Sequence, residues 1–352
     1  MIGNHDRRVI IVGGGIAGLA VARLLSENGL PFTLVERSDK LGGHTKDWAC
    51  MAVDECKNCF CCLVFDYEDT VASCRNSEIL VGYELSSVVS SDSGIQRVKV
   101  RQVDSGAEQE IQASALVLAI GFDTFDPVDK GFWGYGQIDG VLTLADLNHI
   151  IRSNDLGKLS PVPEGALDVA FFQCIGSRDK SIGANYCSQY CCGSAIRAAL
   201  KLIHEVPGCN VSIFYIDLQL PGKTTRDLME EAQEKGVRFL QGVPGEIRPL
   251  QEGGLQVISE IDGQNVAERF DRIVLSVGQR PSASAAAISK ILGAPLNEFG
   301  FFETRTLFDA VRSPANGVYI AGSCSSPASI PDVAVSAGTV VSAIIADIEK
   351  AS

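Results

Sequence analysis

The 352-residue chain is short of positive charge. It carries 30 Lys and Arg against 43 Asp and Glu, a formal net charge of −13. A nucleic-acid binder needs a basic face, so this balance argues against one. No apolar run reaches the length of a membrane span. The N-terminus passes from a short polar lead, Asn4 to Arg8, into a strand, without the pattern of a signal peptide. With no export signal, the twelve cysteines are expected to serve metal or redox chemistry in the cytoplasm rather than disulfides. What remains is a chain long enough for about two domains, 46% hydrophobic and rich in glycine.

The first motif is Gly13-Gly14-Gly15-Ile16-Ala17-Gly18. It follows a strand at Arg8–Val12, opens a helix running to about Asn28, and precedes a second strand, Phe32 to Glu36. G-x-G-x-x-G in that setting, with an acid at the end of the second strand, marks a dinucleotide site. Gly13 makes the tight turn, Gly15 lets a pyrophosphate approach the backbone, and Gly18 lets helix and strand pack closely. Free N–H groups of the helix N-terminus hold the phosphates. Glu36 is placed to accept the ribose hydroxyls.

Leu41-Gly42-Gly43-His44, the strand Ala115 to Gly121, and the strand Gly317 to Gly322 followed by a helix from about Pro331 to Ile348 complete a pattern. These pieces resemble the FAD-domain signature of thioredoxin-reductase-like flavoproteins. The resemblance implies an α/β chain with two dinucleotide-binding, Rossmann-like domains, the second inserted into the first. Residues 1–159 and 276–352 are then the FAD domain and 160–275 the insert. Strands are expected in the insert at Asp168 to Phe172, Val211 to Ile216 and Ile273 to Val277, with helices after the first two. The resembling family binds NAD(P)H there through a second G-x-G-x-x-G, which this insert lacks.

In its place stands QCIGSRDKSIGANYCSQYCCGSAIRAAL, Gln173 to Leu200. Cys174 occupies the expected position of the first glycine, with Cys187 and the adjacent pair Cys191-Cys192 following. Four thiols at a strand end and on the first turns of a helix suit the ligand set of a [4Fe–4S] cluster. Zinc also takes four thiolates, although two separated C-x-x-C knuckles are missing. Buried, unreactive thiols are the third alternative.

A second group, Cys50, Cys56, Cys59, Cys61, Cys62 and Cys74, lies in a loop expected to face the flavin. It suits a second metal centre, a redox or partner-facing role through Cys56-x-x-Cys59, or packing. Cys209 reads as loop filler, and Cys324 as packing beside the flavin strand end. The candidate FAD contacts are Gly13, Gly15, Ile16, Ala17 and Gly18, then Glu36 and Arg37, Gly43 and His44, Leu85, Ile120 and Gly121. Gly322, Ser323, Asp332 and Val333 complete them from the C-terminal part. Ser323 stands where many such flavoproteins carry an aspartate. Losing that charge and pointing a helix N-terminus at the flavin both favour the anionic reduced form, so the FAD is expected to store electrons.

QCIGSRD at 173–179, YCSQYCC at 186–192, GFDTFDPVDKGFWGYG at 121–136, IFYIDLQLPGK at 213–223 and AGSCSSPASIPD at 321–332 carry a closer likeness. With LGGH at 41–44 they cover nearly the whole chain, which resembles the A-type subunit of heterodisulfide reductase and its shorter relatives. That resemblance implies one FAD and one [4Fe–4S] cluster, with Cys174, Cys187, Cys191 and Cys192 matching the ligand pattern. It also implies partner subunits of B and C type and a homodimer. Two departures stand out: no ferredoxin-type C-x-x-C-x-x-C-x-x-x-C-P run occurs, and the 50–74 loop is unusually rich in cysteine. Both argue against electron bifurcation. The expectation is a cytoplasmic electron-transfer subunit of the short, heterodisulfide-reductase-like form found in sulfur-oxidising prokaryotes. The alternatives are the A-type subunit of a quinone-interacting oxidoreductase of sulfate reducers, a stand-alone NAD(P)H-dependent disulfide reductase using Cys56 and Cys59, and a scaffold that has lost its cofactors. No catalytic acid, base or nucleophile is assigned.

Overall fold

The computed structural model describes residues 7–91, 94–159, 166–221, 223–261 and 263–351. Most of the polar lead and the expected boundary at 160 lie outside the described residues. The chain divides into two compact units. Unit 1 comprises Met1–Lys46, Phe60–Asp123 and Pro281–Ser352; unit 2 comprises Asp47–Cys59 and Thr124–Arg280.

Unit 1 is built on a five-stranded parallel sheet. Its order is Val318–Ile320, Ala115–Leu118, Val9–Val12, Phe32–Glu36, Glu78–Val81. Strand side chains alternate faces with period two, and the core divides accordingly. Val9, Ile11, Phe32, Leu34 and Val117 pack with the helices Ile16–Glu27, Leu63–Ala72 and Ile330–Ala351. Ile10, Val12, Val35, Leu116 and Ile320 pack instead with an antiparallel meander, Tyr83–Ser91, Gly94–Gln102 and Glu108–Gln112. Both faces of the sheet are covered, which is why its strands read as continuous apolar runs rather than alternating ones.

The last helix corrects one expectation. By length and composition alone its stretch Ile330–Lys350, with a mean hydropathy of 1.5, is apolar enough to cross a membrane. A core helix meets the same test, and here Val333, Ala337, Val340, Val341 and Ile344 are buried against the sheet and the first helix. Interspersed Ser, Thr and Gly hide this run from a search for unbroken apolar sequence.

Unit 2 repeats the layout. Its parallel sheet has the order Arg238–Gln241, Cys209–Tyr215, Leu167–Ile175, Arg272–Val277, Val141–Thr143. One face packs on the helices Leu144–Arg152, Cys191–Glu205 and Lys223–Glu234 through Leu147, Ile196, Leu202 and Leu228. The other packs on an antiparallel sheet, Pro244–Pro249, Leu255–Ile261 and Gln264–Phe270, through Phe172, Phe214, Val257 and Phe270. The three strands expected in the insert are present. Val141–Thr143, on the 1–159 side of the expected boundary, joins the edge of this sheet beside Arg272–Val277. Cys209 opens a buried strand rather than filling a loop, and burial pushes its thiol up to about 12.

Candidate functional site

In unit 1 the fingerprint turn is shaped by what glycine leaves out. Gly13 has φ +110°, and a Cβ there would stand 2.3 Å from the Ala119 carbonyl oxygen. A Cβ on Gly18 would stand 1.9 Å from the Gly13 carbonyl oxygen, so helix and strand touch backbone to backbone. Gly15 differs: its φ and ψ of −74° and −175° suit any residue, and its nearest neighbour would be Gly43 Cα at 4.0 Å. The missing side chain at Gly15 therefore opens a path to the backbone rather than relieving a clash. Gly15 caps the helix Ile16–Glu27 with no side-chain hydrogen bond, which leaves the first-turn N–H groups for a ligand.

Glu36 accepts from the Gly14 N–H at 2.7 Å through one carboxylate oxygen. The other accepts from the N–H and hydroxyl of Ser38. The acid thus braces the turn as well as facing the cavity beside it. That cavity, about 290 Å³, is lined by Gly13, Glu36, Arg37, Leu85 and Ile120, five of the residues expected to touch the cofactor. Sequence reasoning missed its far wall, Ser282, Ser284, Ile288 and Ile291 on and before the helix Ala285–Leu292. The cradle and the cavity fit a phosphate-linked nucleoside held along the sheet end.

The other expected contacts are placed as follows. Ile16 and Ala17 open the fingerprint helix, and Gly43, at φ +53°, lies against Gly15. The His44 imidazole pairs with the Phe122 carbonyl oxygen at 2.9 Å and stacks on the Phe122 ring, one residue beyond Gly121. A Cβ on Gly322 would stand 2.7 Å from Ala17 Cβ, so this turn also touches the fingerprint helix. Ser323 and Val333 are buried. The Asp332 carboxylate accepts from the N–H and hydroxyl of Ser329, a capping interaction at the last helix. Cys324 is packing: its thiol donates to the Leu118 and Ala321 carbonyl oxygens, and burial pushes it up to about 12.

In unit 2 the strand Leu167–Ile175 runs into the four-cysteine segment. Cys174 has φ +64°, a glycine-like conformation at the position where a glycine loop would begin. Arg178 and Gln189 are also left-handed, at φ +56° and +61°. Such strain in non-glycine residues clusters at functional sites. Cys191 and Cys192 fall in the first turn of the helix Cys191–Glu205, and both are buried. The four thiols lie in one electrostatic neighbourhood. Burial pushes Cys174 up to about 11, with Cys192 adding to the shift and Arg178 opposing it. Burial also raises Cys187. The adjacent, buried Cys191 and Cys192 share a proton, which raises Cys191 well above the usual thiol range and lowers Cys192.

The Gln189 N–H donates to Cys187 Sγ at 3.3 Å. The Arg178 guanidinium pairs with the Asp217 carboxylate. Gln173 Oε1 and Ser177 Oγ are buried without a hydrogen-bond partner in the structure, which is unusual for buried polar atoms. No group of three or more His, Cys, Asp or Glu side chains stands ready-made as an ion site among the described residues. The donor set and its surrounding donors fit a thiolate-bound metal centre; the sulfur positions are not those of a closed coordination sphere. Arg178 was not singled out from the sequence, although QCIGSRD contains it.

The N-terminal cysteine group is divided. Cys50, Cys56 and Cys59 belong to unit 2, so the expectation that the loop stays with the flavin domain is corrected for them. Long cationic side chains pin this segment to the cysteine helix. Arg197 donates to the Lys57 and Asn58 carbonyl oxygens, and Lys201 to that of Ala52. Lys57, itself buried, pairs with Glu231 at 2.7 Å. Cys61, Cys62 and Cys74 belong to unit 1.

The sequence model of the family described as pyridine nucleotide-disulphide oxidoreductase matches residues 7–340. Among curated proteins the chain is similar to the A-type subunit of the H(2):CoB-CoM heterodisulfide,ferredoxin reductase of Methanothermobacter marburgensis. The two are 32% identical over 263 residues, which is 72% of this chain and 40% of that protein. It is 33% identical over 241 residues to an iron-sulfur A-type subunit of the CoB–CoM heterodisulfide reductase of Methanopyrus kandleri, covering 65% of this chain and 37% of that one. The A-type subunit of the Ferredoxin:CoB-CoM heterodisulfide reductase of Methanosarcina mazei is 26% identical, over 92% of this chain and 51% of its own. The chain thus spans from about a third to about half of these relatives. Two thioredoxin reductases share the fold. That of Lactococcus lactis has a TM-score of 0.64 at 18% identity, covering 98% of this chain and all of that one. That of T. acidophilum has a TM-score of 0.60 at 18% identity, covering 97% and 100%. The chain therefore belongs to the pyridine nucleotide-disulphide oxidoreductase family, as an oxidoreductase of thioredoxin-reductase-like fold.

Proposed function

We propose that the chain is an FAD- and [4Fe–4S]-containing electron-transfer subunit of a heterodisulfide-reductase-like complex. One observation carries the reading. Cys174 stands at the end of the strand Leu167–Ile175 and Cys191 and Cys192 in the first turn of the helix Cys191–Glu205, with Cys187 between them, where a nicotinamide domain would have its phosphate-binding glycines. A flavin supplies two-electron storage and an iron–sulfur cluster one-electron transfer. The chain's own residues would hold the FAD at Gly13, Gly15, Gly18 and Glu36, and the cluster at the four thiols. The Gln189 backbone donor would stabilise the negative charge of a thiolate ligand at Cys187. Likeness to subunits named for heterodisulfide reductase supports assembly with partners.

The partners we propose are subunits of B and C type, around a homodimer of this chain in the cytoplasm. The pathway we propose is dissimilatory sulfur oxidation, with a flavin that stores electrons and does not bifurcate them. The A-type subunit of a quinone-interacting oxidoreductase is the nearest competing assignment. Iron and flavin analysis of anaerobically purified protein tests the reading. About four irons and one FAD per chain are expected. Flavin without metal, reduced rapidly by NAD(P)H, would overturn it in favour of a thiol reductase.

A further inference from the structure

We propose that the hydroxyls of Ser282 and Ser284 bind the nucleoside half of the dinucleotide in unit 1, and that Asp123 is the residue that positions them. The inference rests on the FAD reading just given, because it presumes that the cavity beside Glu36 takes the adenosine.

Ser282 and Ser284 line that cavity together with Glu36, Arg37 and Leu85. A serine immediately before a helix ordinarily turns its hydroxyl back onto the first-turn N–H groups. Ser284 precedes the helix Ala285–Leu292 and makes no such bond. Its hydroxyl meets that of Ser282 instead, at 3.0 Å. In such a pair one hydroxyl donates to the other, and the one that accepts keeps its own hydrogen. Backbone fixes the pair further: the Ser284 N–H donates to Ser282 Oγ at 3.4 Å, and the Ala285 N–H donates to the Ser282 carbonyl oxygen at 2.9 Å. The cavity wall thus presents a held O–H donor with acceptor lone pairs beside it, which suits the hydroxyls and ring nitrogens of a nucleoside.

Asp123 supplies what Ser284 withholds. Its carboxylate accepts from the N–H of Ala283, between the two serines, at 2.7 Å. That places an acceptor and a negative charge at the entrance of the helix, where both are favourable, and frees the serine hydroxyls for the cavity. Asp123 is tied in turn to the phosphate side of the site. The preceding residue, Phe122, offers its carbonyl oxygen to the His44 imidazole at 2.9 Å and stacks its ring on that imidazole. Gly43, next to His44, lies against Gly15 of the fingerprint turn. Phe122 and Asp123 therefore join the loop at the phosphate turn to the wall at the nucleoside. All of these residues belong to unit 1.

The test is fluorescence titration of the full chain, stripped of flavin, with FAD, alongside thermal unfolding of each variant without FAD. A variant carrying Ser282→Ala and Ser284→Ala is expected to bind FAD about three- to tenfold more weakly, with the unfolding temperature of wild type. Asp123→Ala is expected to weaken FAD by a similar factor. Asp123→Asn, which keeps an oxygen for the Ala283 N–H, is expected to restore most of the affinity. Because Asp123 acts through the serines, adding Asp123→Ala to the serine variant should weaken FAD no further, whereas a merely structural role would add its own loss. Wild-type affinity in the serine variant would overturn the inference. A combined loss equal to the product of the separate losses would overturn the role of Asp123. If Asp123→Ala does not fold, the serine variant decides alone. A wild type that binds no FAD would overturn the flavin site itself, and with it this inference; an FAD-binding wild type with unmoved variants would overturn only the latter.

Discussion

Replacing Gly15 with Ala should separate flavin binding from folding. The backbone there is extended at φ −74°, and the added methyl would find no atom nearer than Gly43 Cα at 4.0 Å. Two stability effects oppose each other. Ala is a poorer N-cap than Gly, at about 0.5–1 kcal/mol. It also restricts the unfolded chain, which returns about 0.4–1 kcal/mol. The apoprotein should therefore stay within about 1 kcal/mol of wild type, a shift in Tm of about 2–4 °C at most for a unit of this size. Binding should suffer far more, because the methyl stands where a pyrophosphate must meet the backbone. Loss of one hydrogen bond to a charged group is worth about 1.5–3 kcal/mol, or roughly 10- to 150-fold in affinity. Gly18→Ala is the contrast. Its methyl would lie 1.9 Å from a backbone oxygen, so it should destabilise unit 1 by about 1–3 kcal/mol before any ligand is added. Thermal unfolding of both apoproteins, followed by fluorescence titration with FAD, measures the two effects. A Gly15→Ala protein that binds FAD as wild type does would refute the account of the turn.

Glu36→Ala should weaken FAD binding and also destabilise the apoprotein by about 1–3 kcal/mol, because the Gly14 N–H loses its carboxylate; denaturant unfolding without FAD checks the second effect. Glu231→Gln should leave Lys57 buried with only the exposed Glu55 for a partner, costing about 1–3 kcal/mol. Limited proteolysis should then cut residues 50–59 faster than in wild type. At the far end, Asp347 sits between Arg312 and Tyr319. Burial pushes its carboxyl up, but the hydrogen bonds from Arg312 and Tyr319 outweigh this and hold it below the usual aspartate range. Its folded pKa lies below the unfolded one, so its contribution is present above about pH 4 and fades as pH falls through the folded value. Asp347→Asn should therefore flatten the stability profile below about pH 4 and change its slope little above; urea unfolding across that range measures it.

Much of the fold could be read because backbone rules act locally. Gly13, Gly15 and Gly18 carry their meaning in their spacing, and the strands on either side are unbroken apolar runs. The four cysteines were equally legible, since Cys191 and Cys192 head an amphipathic helix after a buried strand. What could not be read depends on long-range pairing. The edge strand Val141–Thr143 has three residues and gains its identity only from Arg272–Val277. The division of the N-terminal cysteines follows from Arg197 and Lys201 reaching segment 50–59 across about 140 residues of chain, which no local pattern encodes. The far wall of the cavity beside Glu36, on Ala285–Leu292, reads from sequence as an ordinary short helix.

The central claim is that Cys174, Cys187, Cys191 and Cys192 bind a [4Fe–4S] cluster in a flavoprotein of this fold. Its most direct test is the iron and flavin content of anaerobically purified protein, with an EPR spectrum after dithionite reduction, for wild type and for Cys191→Ala with Cys192→Ala. The account predicts about four irons, one FAD and a reduced-cluster signal in wild type, and FAD without iron or signal in the double variant. Flavin-containing wild type without iron, or a double variant that keeps the full signal, would contradict it.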